Sequence, residues 1–155
     1  MYVLASVCNE SAPTWFRALA QFSPCIEDGK LGISALFIQF DGAFIAVTAE
    51  GNVWVNGHRL NRGQFPFTDI PGLSIVAEAN GVFVENSAGV RFLFRGLGEL
   101  TVTVPRSFMK QMCGSCGVFG ASYAGELLMP DGLVTSDIQR FLRGWLAPEF
   151  TSCLN

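Results

Sequence analysis

The sequence is short of charge and nearly devoid of histidine. His58 stands alone among 155 residues. That excludes clustered-histidine zinc sites, two-histidine iron sites and multi-histidine proton relays. Charged residues make up 15% of the chain, against a usual share of about a quarter. Ten Lys and Arg against 13 Asp and Glu leave a net charge of −3. Phosphate binding needs a clustered excess of cations, so this balance argues against a nucleic-acid partner. There is no charge block, linker, internal repeat or low-complexity tract. No glycine run sits between a strand and a helix as a phosphate loop requires. Ser107, Ser115 and Ser122 lack a nucleophile-elbow context. Glu27-Asp28, in a glycine-containing loop, reads as solvated rather than as an acid–base pair. The expectation is a protein that is not an enzyme and that uses no cofactor.

What the sequence does have is apolar mass and turns. Half of its residues are hydrophobic, with 14 Phe and 17 Gly. That is ample apolar surface to offset ordering entropy, and the length suits one domain. The most apolar window, Leu31 to Ala49, is long enough to span a bilayer. Asp41 near its centre opposes this, and Asp41-Gly42 is a favoured hairpin turn. The window therefore predicts two strands, Ile33–Phe40 and Ala43–Ala49. Further runs follow with turn punctuation about every ten residues: Val53–Val55, Leu73–Ala79, Val82–Glu85, Val90–Arg95 and Leu100–Val104. Asn56-Gly57 and Asn80-Gly81 are turn pairs that favour positive φ. Several runs alternate, as in Val53 and Val55 against Trp54, or Phe92 and Phe94 against Arg91 and Arg95. The spacing predicts an all-β fold, an antiparallel β-sandwich or meander. Met112–Gly132 reads as loop. Thr135 or Ser136 is expected to cap a short C-terminal helix, Asp137–Leu146, with Ile138, Phe141, Leu142 and Trp145 on one side. Trp15, Phe16, Trp54 and Trp145 are expected core aromatics, as are Phe65 and Phe67 around Pro66. His58 is expected as a surface residue in a turn. Met1 to Cys8 has no basic n-region, which leaves either an upstream segment or an intracellular chain.

The five cysteines are Cys8, Cys25, Cys113, Cys116 and Cys153. Their scatter over a β-rich chain suggests disulfides, and the odd number leaves a missing partner or a free thiol. Cys113-Gly114-Ser115-Cys116 admits three readings. A zinc half-site would need a second ligand pair. A thioredoxin-like redox motif would need a helix N-terminus to lower the thiol pKa. Two structural cysteines in a tight turn would each bond elsewhere.

The stretch from Val104-Pro105 through Cys113-Gly114-Ser115-Cys116-Gly117 and Pro130-Asp131-Gly132 to Trp145 and Cys153 resembles the C-terminal half of a von Willebrand factor type D domain. Tyr2-Val3-Leu4 before Cys8 resembles that family's Tyr-x-Leu strand, and Val53-Trp54-Val55-Asn56-Gly57 fits the same order. The family's opening strands have no counterpart, so the resemblance implies a single domain over 1–155 that is N-terminally incomplete and disulfide-stapled. It implies a Cys8–Cys113 bond. The family partners of Cys116 and Cys153 lie in the absent part, and Cys25 lacks its local partner. Calcium-binding members place Asn and Asp in the loop after the second cysteine of the motif. Here only Glu126 and Ser122 keep an oxygen, which implies a degenerate calcium site. Asn9-Glu10-Ser11 is an N-glycosylation sequon. The function implied is an extracellular, secreted module for adhesion and assembly within a large glycoprotein. Its partners would be other domains of the same protein or other extracellular proteins, with no membrane span in this chain. The alternative is thiol–disulfide exchange through Cys113 and Cys116 in aid of multimerisation.

Overall fold

The structure is a computed structural model that describes residues 1–23, 32–95, 99–117, 119–120 and 127–147. Eleven strands and one helix are described: β1 (Tyr2–Val7), β2 (Phe16–Ser23), β3 (Gly32–Phe40), β4 (Ala43–Thr48), β5 (Val53–Val55), β6 (His58–Arg59), β7 (Leu73–Glu78), β8 (Gly81–Asn86), β9 (Arg91–Arg95), β10 (Glu99–Thr103), β11 (Met112–Cys113) and α1 (Ile138–Gly144). They form two antiparallel sheets. One has seven strands in the order β11-β1-β2-β3-β4-β5-β6, and the other four in the order β10-β9-β8-β7. The expected all-β class with a short C-terminal helix is what the chain adopts.

The turn chemistry accounts for most of this. Gly42 has φ +71°, so Asp41-Gly42 folds β3 back onto β4 with Phe40 opposite Ala43. Asn56 and Gly57 both have positive φ, at 49° and 82°. That pair suits the right-handed twist of the flanking strands and joins β5 to β6. Alternation then selects the buried face. Ile45 and Val47 of β4, Val53 and Val55 of β5, Val82 and Val84 of β8, and Phe92 and Phe94 of β9 are buried in one core between the sheets. Phe16 lies at its centre, fully buried, with ring centroids 5.9 Å from Phe92, 5.9 Å from Phe108 and 6.3 Å from Phe40.

The structure departs from the sequence reading in four places. First, β2 is a central strand that alternation did not reveal. Ala18, Leu19 and Ala20 are all buried because β2 is covered on both faces. Second, Met112 and Cys113, expected in loop, form a two-residue strand against β1. Third, the helix is shorter than expected and is capped by Asp137 itself, whose carboxylate accepts from the Gln139 and Arg140 amides at 2.9 and 3.1 Å. Its apolar side is split: Phe141 and Trp145 bury with Val3 and Leu19 on the outer face of β1 and β2, while Ile138 stays 64% exposed and Leu142 42%. Fourth, Trp54 points away from the core, half-buried, with the Arg59 guanidinium 5.7 Å from its ring centroid. Phe67 is buried as expected, and Phe65 packs half-buried at the core's edge. Among the described residues no helix is long and apolar enough to cross a membrane.

Candidate functional site

The cysteine motif folds as a turn fastened to the first strand. Met112 and Cys113 pair with Val7 and Ser6. The chain then turns, and the Ser115 amide donates to Val3 O at 2.9 Å and the Cys116 amide to Leu4 O at 2.8 Å. Gly114 makes this possible. It is buried with φ +128°, and a Cβ there would collide with the Leu4 carbonyl. A side chain between the two cysteines would therefore lift the turn off β1.

This docking sets the sulfur geometry. The Cys8 amide donates to Gln111 O at 2.9 Å, which carries the pairing one step past the end of β1. Ser6 lies opposite Cys113, and Cys8 is its neighbour two residues along. Cys8 is exposed and Cys113 half-buried, both as free thiols, and the Cys113 thiol is hydrogen-bonded to Cys8. Burial pushes the Cys113 thiol up to about 12, helped by the Cys8 thiol beside it and by the nearby Glu10 carboxylate. Cys116 opens to solvent, yet the protein packed around its inner side raises its thiol as well. The Ser6 hydroxyl is occupied, donating to Phe16 O at 3.1 Å.

Two thiols on neighbouring strands, diagonal to each other in the register, are candidates for a disulfide. A resting nucleophile is a different object: it needs a lowered pKa, and the residues around Cys113 raise it. Cys116 is brought near the same strand and keeps an accessible sulfur. Cys25, Cys153, Glu126 and Ser122 lie outside the described residues. Asn9 sits on an exposed turn between β1 and β2, with its side-chain oxygen accepting from the Ser11 amide at 3.1 Å. His58 is exposed, in β6 rather than in a turn. The Leu4 carbonyl and Glu10, which shape the turn and its electrostatics, carried no sequence signal, because their roles depend on contacts about a hundred residues away in the chain.

Comparison with known proteins places this architecture. Residues 1–133 match the family model described as von Willebrand factor type D domain. The chain is 26% identical over 148 residues to the IgGFc-binding protein of Homo sapiens, covering 95% of this chain and 3% of that protein. It is 30% identical over 149 residues to zonadhesin of Oryctolagus cuniculus, covering 93% of this chain and 6% of that one. Vitellogenin of Ichthyomyzon unicuspis is 26% identical over 150 residues, or 97% of this chain and 8% of its own length. The chain thus spans under a tenth of each of these relatives.

Proposed function

The chain belongs to the von Willebrand factor type D domain family, and on that premise we propose that it serves as a non-catalytic structural and adhesive module of a large extracellular glycoprotein. The observation that carries the reading is the contact between Cys8 and Cys113, which sets one thiol against the other where β1 meets the cysteine turn. In an oxidising compartment a disulfide donor takes two electrons and two protons from this pair, and the bond ties the start of the sandwich to its C-terminal turn. Such a tie suits a module under load between neighbouring domains. The name of one relative, an IgG Fc-binding protein, records a protein partner for that molecule and supports a protein-binding role here.

The test is non-reducing peptide mapping of the chain produced through a secretory pathway. A Cys8 peptide linked to a Cys113 peptide is the expected result. Alkylation of both sulfurs without prior reduction would overturn it.

Exchange chemistry is the second reading, favoured by the exposed Cys116 three residues from Cys113. A Cys116 thiolate would attack Cys113 of the Cys8–Cys113 bond, forming Cys113–Cys116 and releasing the Cys8 thiolate. The raised thiols weigh against it at neutral pH. Rapid cycling of the oxidised protein with glutathione near pH 7 would make it the better account.

A further inference from the structure

The two sulfurs of the Cys8 and Cys113 pair differ in what surrounds them. Cys8 follows the last residue of β1 and opens a run of exposed residues, Cys8-Asn9-Glu10-Ser11. Its amide is held by Gln111 O, so its backbone is anchored while the residue stays exposed. Cys113 is half-buried on β11. It packs against the apolar cluster of Val3, Leu19, Phe141, Trp145 and Ala147, the one that α1 closes over the sheet. Ser6 lies opposite Cys113 and Cys8 two residues beyond Ser6, so the strand period puts both cysteines on one face. That face carries one open sulfur and one sheltered sulfur in contact.

Thiol–disulfide exchange is an in-line displacement. The attacking sulfur must meet the donor along the axis of the donor's S–S bond, so access decides which thiol reacts first. A peptide disulfide can meet Cys8 without displacing a packed side chain. To meet Cys113 it must part that thiol from the cluster.

We propose that Cys8 is the entry sulfur of the pair and Cys113 the resolving sulfur. This rests on the pairing put forward above and adds its order. The Cys8 thiolate attacks a disulfide donor, giving a mixed disulfide and one donor thiolate. Cys113 then loses its proton to solvent, attacks the Cys8 sulfur and expels the second donor thiolate. The pair gives up two electrons and two protons, and the donor leaves as two thiols. The raised Cys113 thiol makes the second step the slower one, because little thiolate is present near neutral pH.

The probe is glutathione disulfide, added to the reduced full chain near neutral pH, followed by acid quenching, alkylation and peptide mapping. In Cys113→Ser/Cys116→Ser, glutathione is expected on Cys8. In Cys8→Ser/Cys116→Ser it should reach Cys113 at least about tenfold more slowly. In urea the two rates should come within about threefold, because the shelter of Cys113 is gone. In the parent chain, early samples should carry glutathione on Cys8 before the Cys8–Cys113 bond appears. That measurement decides the order if a variant does not unfold cooperatively. Equal rates in the folded variants, a first adduct on Cys113, or a rate gap that persists in urea would each overturn the proposal. A parent chain that never forms the Cys8–Cys113 bond overturns the pairing itself, and the variants' rates distinguish that from failure of the order.

Discussion

Gly114 lies directly against the carbonyl of Leu4, with no room for a β-carbon between them. The contact fixes the distance between the cysteine turn and β1. Gly114→Ala must both occupy that space and hold φ +128°. It is expected to cost ~2–4 kcal/mol in urea unfolding. Gly57 provides the control. Its φ is +82° but nothing lies within 4 Å of an added Cβ, so Gly57→Ala should cost only about 1–2 kcal/mol.

Phe16→Ala removes the ring on which Phe40, Phe92 and Phe108 converge. A large cavity between two sheets collapses poorly, and the expected loss is ~3–5 kcal/mol. Phe83→Ala, at a ring that is 36% exposed, should cost far less. Thermal unfolding of the two variants side by side measures the difference.

In the oxidised protein, Cys8→Ser should lower stability by about 2–5 kcal/mol, because a closed loop of roughly a hundred residues is released in the unfolded chain. Cys116→Ser should leave the unfolding midpoint close to the parent's. With excess reductant, the Cys8→Ser deficit should largely vanish.

The reduced protein should become less stable in alkali. Folding raises the Cys113 thiol from the ordinary 9.0 to about 12. A group raised in the folded state gives stability that is complete below its unfolded pKa and is lost as pH climbs through its folded one. Urea midpoints should therefore fall progressively between those two values. Cys113→Ser should flatten the decline, and so should oxidation, which removes the proton altogether.

Asp137→Ala should cost about 1 kcal/mol through loss of the helix cap, whereas Asp137→Asn should retain most of it. Ser136→Ala should change stability by less than ~0.5 kcal/mol. Equilibrium unfolding of the three variants distinguishes the cap that forms from the one the sequence suggested.

The hairpins were legible because their signals are local. Asp41-Gly42 and Asn56-Gly57 specify backbone angles that only a few residue types accept, and β3 to β6 follow from them. β2 was not legible. Its alanines, Arg17 and Gln21 carry weak strand preference, and it forms because β1 and β3 flank it and α1 covers it. β11 was hidden for the same reason, as its partner lies over a hundred residues earlier. The split side of α1 was hidden too, since periodicity marks which residues share a stripe but not how much of it the sheet covers. At the candidate site, the motif pointed to Cys113 and Cys116, and resemblance pointed to Cys8. The Leu4 carbonyl that sets their spacing is a main-chain atom and leaves no trace in residue identity.

β1 takes its neighbours from three places, two of them distant in sequence: β2, the cysteine turn, and the backbone of Trp145, whose carbonyl accepts from Val3. During synthesis it emerges well before two of those three. The amides and apolar side chains on that side of β1 therefore gain their partners only through long-range contacts, which form slowly. A chain cut short before Met112 would therefore leave β1 paired on one side only.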